Sequence, residues 1–146
     1  MSLDAFDKAF QQLNKDELEI LAKKATDLVF QDGATLMIEG EKHPQLMVII
    51  EGEVRVIRKN DDGVETELST PLTRGGTVGE MSFVDQGGAS ATLIAKGDVV
   101  VQAIDHELVQ DMANADATFL QRFYHSLLVT VIRRLRTLDI KMSYMG

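Results

Sequence analysis

The residues best suited to chemistry lie in one stretch, Gly79-Glu80-Met81-Ser82-Phe83-Val84-Asp85-Gln86-Gly87-Gly88-Ala89-Ser90-Ala91-Thr92. A glycine, an acid opening a short apolar turn, and then Gly87-Gly88 describe a small cup between two strands, expected at Leu68–Leu72 and Thr92–Ala95. The first N–H groups of such a turn have no partner within it and are suited to meet an anion. Glu80 can accept a hydrogen bond from a sugar hydroxyl, and Ser90 can donate one to an oxyanion. The same residues also make an ordinary inter-strand loop with a helical turn, and residue types alone leave both readings open.

Other chemistries find less support. His43, His106 and His125 are scattered, with no H-x-H or H-E-x-x-H spacing, so no metal site is expected. His43, beside Pro44, is expected as a solvated turn residue. Glu39/Glu41, Glu51/Glu53 and Glu65/Glu67 are i, i+2 pairs that share a face if extended, yet they sit beside turn glycines or charged neighbours. Acid–base work needs paired carboxylates in environments that push their pKa values apart, and solvation is the reading here. No Ser/His/Asp order suggests a nucleophile. With no cysteine, disulfides, thiolate metal sites and cysteine catalysis are excluded. A regulatory role rather than an enzyme is expected, with no cofactor beyond a cyclic nucleotide or other anionic ligand in the cup.

The elements that must position the cup follow from periodicity. Phe6, Ala9, Phe10 and Leu13 recur at helical spacing. Asn14 with Glu17 predicts a capping box, and Leu18, Leu21, Ala22, Ala25 and Leu28 continue one helical face. From Val29 to Ile104 the pattern shifts to short β-rich runs: Thr35–Ile38, Leu46–Ile50, Val54–Ile57, Thr92–Ile94 and Val99–Val101. Nearly all the glycines fall between these runs, as expected of a sandwich, barrel or roll. Asn60-Asp61-Asp62-Gly63 reads as a hairpin tip. Met37, Met47, Met81 and Met112 lie in apolar runs and are expected in the core.

Helical period returns after Asp105. Glu107–Met112 predicts a short helix, and a longer one is expected to start near Asp116 or Thr118. In the latter, Tyr124, Leu128, Val131, Leu135, Leu138 and Met142 alternate at spacings of four and three, which is a heptad seam. Phe119, Phe123 and Leu127 form a second stripe. One stripe can pack on the β body while the other meets a partner helix, so a homodimer through this helix is expected. The organisation expected is one domain over 1–146, with N-terminal helices at 1–28, a β-roll at 29–105 and C-terminal helices at 106–146.

The formal charge of −8 is uneven: residues 118–146 carry +4 and residues 1–117 carry −12. The basic end reads as a helix finishing in cations that suit its own dipole. An acidic body repels nucleic-acid phosphates, so no direct nucleic-acid contact is expected. Without a secretory leader or an apolar run of about 18 residues, no membrane partner is expected, and a cytoplasmic setting is the simplest reading.

The chain resembles the cyclic nucleotide-binding domain family, in particular the effector domain of catabolite-activator-type bacterial regulators. Phe30-Gln31-Asp32-Gly33-Ala34-Thr35-Leu36 with Glu39-Gly40-Glu41 resembles the family's opening, and Leu46–Val56 its strand–Gly–strand segment. Gly75 and Gly79-Glu80-Met81 fall where its phosphate-binding cassette begins, and Phe119–Met142 with Arg133-Arg134-Leu135 is similar to its dimer helix. The resemblance implies a mainly-β jelly-roll fold, with two short N-terminal helices and a long C-terminal helix. It implies a ligand site at Gly79, Glu80, Met81, Ser82, Ala89 and Ser90, with Glu80 on a ribose 2′-hydroxyl and Ser90 beside the phosphate.

Three departures qualify that site. The family's phosphate-binding arginine falls on Ala89. A charge-assisted hydrogen bond is worth roughly 1.5–3 kcal/mol, so affinity for cyclic nucleotides should fall at least about 10- to 100-fold. Arg74 precedes the cup in sequence. The family's adenine-contacting hydroxyls fall on Leu138 and Asp139, with Thr137 one step off. Family regulators continue into a DNA-reading helix-turn-helix, whereas this sequence stops at Gly146. Two functions stand: a small-molecule sensor using the Gly79–Thr92 cup, and a ligand-free dimerisation or partner-binding module on the same fold.

Overall fold

In Leu46-Met47-Val48-Ile49 all four side chains are buried, because the two faces of one strand serve two different cores. Leu46 and Val48 face a helical layer, while Met47 and Ile49 face the inside of a roll. The computed structural model describes the backbone of residues 2–68 and 70–145 and the side chains of residues 3–68 and 70–136. The strands are β1 (Thr26–Phe30), β2 (Thr35–Met37), β3 (Leu46–Lys59), β4 (Glu65–Glu67), β5 (Thr77–Val78) and β6 (Thr92–Ile104). The helices are α1 (Ser2–Ala9), α2 (Lys15–Lys24), α3 (Glu80–Asp85), α4 (His106–Ala115) and α5 (Phe119–Met145). The fold is a mainly antiparallel jelly-roll-like sheet with flanking helices.

The spine is the antiparallel β3–β6 ladder, running from Leu46 opposite Ile104 to Ile57 opposite Thr92. β1 and β2 pair with β6, and β4 and β5 pair with β3. Thr35–Ile38 folds as its own strand, β2, but the other four apolar runs expected as separate strands are halves of two long ones, β3 and β6. Their glycines lie inside the strands rather than between them. At Gly52 the register shifts and φ is +94°, and a Cβ there would lie 2.4 Å from the Asp98 carbonyl oxygen. Glycine lets β3 bend there without losing its partner.

Three further expectations are corrected. Leu28 belongs to β1, not to a helix, because the chain turns extended at Ala25 and Leu28 pairs with Val101. The β-roll thus begins at Thr26. Leu68–Leu72 is no strand: Leu68 is exposed and Leu72 makes only an isolated bridge to Val54. The strand entering the cup is β5. The arginines of α5 do not end the helix, which runs nine residues beyond Arg136, so its C-terminal dipole does not explain them.

Other local signals fold as read. The Asn14–Glu17 capping box forms reciprocally, and Asn60 caps the hairpin between β3 and β4 by accepting from the Asp62 and Val64 amides. Asp105 caps α4. Phe119, Phe123 and Leu127 bury the inner stripe of α5 against α1, where Phe10 stacks on Phe123 at 5.4 Å. Arg122 donates to both oxygens of Glu17, at 3.1 and 2.5 Å, strapping α5 to α2. Arg133 reaches Gln11, and Ser126 accepts from the Gln12 amide.

Glu17 serves both the cap and this strap. Burial works to raise its pKa, but the Arg122 guanidinium and the Asn14 amide outweigh burial and hold the carboxyl below its ordinary value. A depressed folded-state pKa gives stability that is complete above the unfolded value and is lost as pH falls through the folded one. Glu17→Gln should lower unfolding free energy by about 1–3 kcal/mol at neutral pH. Urea titrations should find the loss much smaller at pH values below the folded pKa, where wild type has already surrendered it.

Candidate functional site

The cup forms because the chain must turn sharply between β5 and α3. Gly79 makes that turn at φ +84°, where a Cβ would meet the Gln45 carbonyl oxygen at 2.8 Å. Within α3, Glu80, Ser82 and Phe83 face inward and are buried. Met81, expected in the core, is turned outward with about half its surface exposed, because the inward face of this short helix is filled by those three. Phe83 lies against Phe123 of α5 at 6.2 Å and stacks on His106 at 3.9 Å, so α3 is wedged into the helical core.

Hydrogen bonds fix the rest of the wall. The Ser82 hydroxyl donates to the Gly87 carbonyl at 2.7 Å and accepts from the His43 amide at 3.1 Å. Both its roles are thereby structural. His43 is half-buried rather than solvated, with Nδ1 donating to the Gln45 carbonyl at 2.8 Å. Ala89 is buried, exchanging backbone bonds with Gly40 and Glu41, while Ser90 is exposed at the rim.

All six expected residues, Gly79, Glu80, Met81, Ser82, Ala89 and Ser90, line one cavity of about 140 Å³ that opens to solvent at its mouth. Apolar side chains from Met37, Val56, Leu72 and Leu93 make much of its wall. Among the described lining residues, Glu80 is the one carboxylate and Arg134 the one cation.

Arg134 is the residue the sequence pattern did not assign to the cup. From α5, its guanidinium pairs with Glu80 Oε1 and donates to the Thr77 carbonyl at 2.8 Å. Burial around it lowers its pKa from the usual arginine range, although two fifths of the side-chain surface remains exposed. A buried acid needs a cation, but nothing local reveals that the cation stands 54 positions later. Arg74 is turned to the Ile50 carbonyl and toward Asp4 instead.

Among the described residues, two polar atoms in the cup have no partner: Glu80 Oε2 and Thr77 Oγ1. Glu80 is 5% exposed and Thr77 2%, so solvent does not satisfy them readily. The arrangement offers a carboxylate oxygen that accepts, a hydroxyl that does either, and apolar walls. Among the described residues, no cluster of three His, Asp or Glu is placed to hold a metal ion.

Beside the cup, Tyr124, Leu128 and Leu135 expose 39%, 57% and 54% of their surface, and Val131 is half-buried. Tyr124, Leu128 and Val131 make an apolar shelf with Met81 and Val84 of α3. The heptad seam is therefore the outer stripe of α5. Leu138, Thr137, Asp139 and Met142 lie outside the described side chains. No helix among the described residues is long and apolar enough to cross a membrane.

Removing the unpartnered Thr77 hydroxyl tests whether the empty cup stores this polar deficit. Thr77→Val should leave the ligand-free protein unchanged or more stable, by up to about 1 kcal/mol, in chemical denaturation. A loss above that size would mean the hydroxyl is satisfied within the fold.

Comparison with known proteins agrees with this geometry. The family model described as "Cyclic nucleotide-binding domain" matches residues 27–116. The chain is 26% identical over 137 residues to the Cyclic AMP receptor protein of Thermus thermophilus, covering 94% of this chain and 61% of that one. It is 28% identical over 127 residues to the CRP-like cAMP-activated global transcriptional regulator of Mycobacterium tuberculosis, covering 87% and 54%. The chain thus spans a little over half the length of these relatives. A solved cyclic nucleotide-binding domain from Methylobacillus flagellatus superposes with a TM-score of 0.85 at 17% identity, covering 99% of this chain and 86% of that one; this likeness shows the fold.

Proposed function

We propose, for a chain that belongs to the cyclic nucleotide-binding domain family, a regulatory sensor whose cup reads a ligand and whose α5 carries the response. One observation carries this reading: Glu80, in the cavity wall, holds α5 through Arg134 with one oxygen and leaves the other without a partner among the described residues. A ligand hydroxyl that donates to Oε2 also changes the charge felt by the guanidinium on Oε1. Phe83 against Phe123 gives the same two elements an apolar contact. Ligand binding and the position of α5 are therefore linked through shared side chains, which is what a coupling free energy requires. The relatives named as a receptor protein and a transcriptional regulator support a regulatory rather than a catalytic role. The absence of cysteine supports a reducing, cytoplasmic setting.

The family's cyclic nucleotides bind weakly in this reading. Ala89 stands where the phosphate-binding arginine is expected, and Arg134 is already committed to Glu80 and the Thr77 carbonyl. Ala89→Arg should tighten cAMP binding by about 10- to 100-fold in calorimetry. Micromolar cAMP binding by wild type would sink the claim that this guanidinium sets the affinity.

The outer stripe of α5 favours a second copy as its occupant. Tyr124, Leu128, Val131 and Leu135 follow heptad spacing, and a stripe of that period is covered by an equivalent stripe on a partner helix. The module then binds ligand at the cup and itself at the shelf beside it. Leu128→Glu should convert a dimer to a folded monomer in sedimentation velocity, because Leu128 is exposed within one chain and its replacement leaves the core intact. A wild-type monomer at all concentrations would remove the dimer and leave the stripe for another protein.

A further inference from the structure

The reading of the cup as a ligand site leaves open which class of molecule enters it, and the cavity's charge decides that question. Its lining carries one negative charge, Glu80, and one positive charge, Arg134, and the two are already paired. An anionic ligand would bring a second negative charge into a cavity that has no unpaired cation among its described lining residues. A cation would leave a positive charge uncompensated in the same way. Burying an unpaired charge is far more unfavourable than burying a hydrogen-bonded neutral group.

The unpartnered atoms ask for something else. Glu80 Oε2 needs a donor, and Thr77 Oγ1 accepts or donates; both belong to side chains more than nine-tenths buried. A hydroxyl or N–H satisfies each without adding charge. The walls around them, from Met37, Val56, Leu72 and Leu93, suit an apolar or aromatic body. The cavity opens to solvent at its mouth, so the body of a ligand held by these atoms can extend outward. We propose that the cup takes an uncharged, hydroxyl-bearing ligand of the nucleoside type rather than a nucleotide. Ala89 is then a matched feature of the site: the small buried residue keeps the lining neutral, where an arginine would demand an anion.

This inference rests on the cup being the ligand site, and the test separates the two. The probes are adenosine and guanosine against cAMP and cGMP, pairs that share base and sugar and differ in the phosphate. Calorimetry on the full chain should find at least one nucleoside binding at least about 10-fold tighter than its cyclic nucleotide. Glu80→Gln changes the lining charge from zero to plus one, so the ratio within that pair should shift about 10-fold toward the anion, with circular dichroism confirming the fold. Tighter binding of the cyclic nucleotide by wild type overturns the proposal and keeps the cup. So does failure of both nucleosides to bind wild type when Ala89→Arg binds cAMP. If neither class binds wild type or Ala89→Arg, and both proteins are folded, the cup reading fails and the proposal with it.

Discussion

The β3–β6 ladder is the constraint on which the rest of the molecule depends. Its length forces one strand pair to serve two cores, with Met47 and Ile49 inside the roll and Leu46 and Val48 under the helices. A one-residue slip in register would exchange these faces and empty both cores at once. The bend at Gly52 lets this pairing continue around the roll rather than break. The short strands β2 and β5, which frame the cup, are held only as outriders on β6 and β3. The cup is therefore positioned by the ladder, although none of its six expected residues belongs to the ladder.

What the ladder cannot supply is a charge to match Glu80. The carboxylate lies against apolar walls, and the roll offers no cation of its own to that cavity. α5 brings one, and the inner stripe of the same helix fixes where it arrives. Phe119, Phe123 and Leu127 anchor the first half of α5 on α1, with Arg122 strapped to Glu17. Arg134, seven residues past Leu127, then stands two helical turns further on. Packing energy in one half of the helix thus sets an ionic contact in the other. An element held firmly at one end and by a polar pair at the other can respond to what happens at that pair.

The features legible in the sequence were those whose cause is local. Asn14 with Glu17, the Asn60–Gly63 tip and the Phe119–Phe123–Leu127 stripe of α5 each depend on residues within a few positions, and each forms as read. The six expected cup residues line one cavity, and one short segment contains them all. Errors came where the cause lies elsewhere in the chain. Leu28 fits a helical face, yet pairing with Val101 claims it for a strand. Gly52 marks a turn by its type, yet Asp98 and Val99 across the ladder make it a bend within a strand. Met81 is apolar and was assigned to the core, but Phe83 and Glu80 already occupy the inward side of α3. Arg134 needed a tertiary contact with Glu80, and periodicity carries no record of it.

That contact changes the meaning of the uneven charge. Basic residues in α5 look, by position, like partners for the helix dipole, but the helix continues past them and three of them reach other elements. Arg122 goes to Glu17, Arg133 to Gln11 and Arg134 to Glu80. The excess of cations at the end of the chain is therefore spread over tertiary contacts that hold the helix to the acidic body. Screening weakens exposed pairs of this kind far more than buried ones. Asp116 pairs with Arg122 at the exposed start of α5, while Glu17 and Glu80 are, among the described residues, the two buried carboxylates that engage α5 through an ion pair. Glu17 ties the helix to the N-terminal helices, and Glu80 ties it to the cavity. A molecule entering that cavity meets a cation already balanced by an acid, so hydrogen-bond donors rather than net charge decide what it recognises.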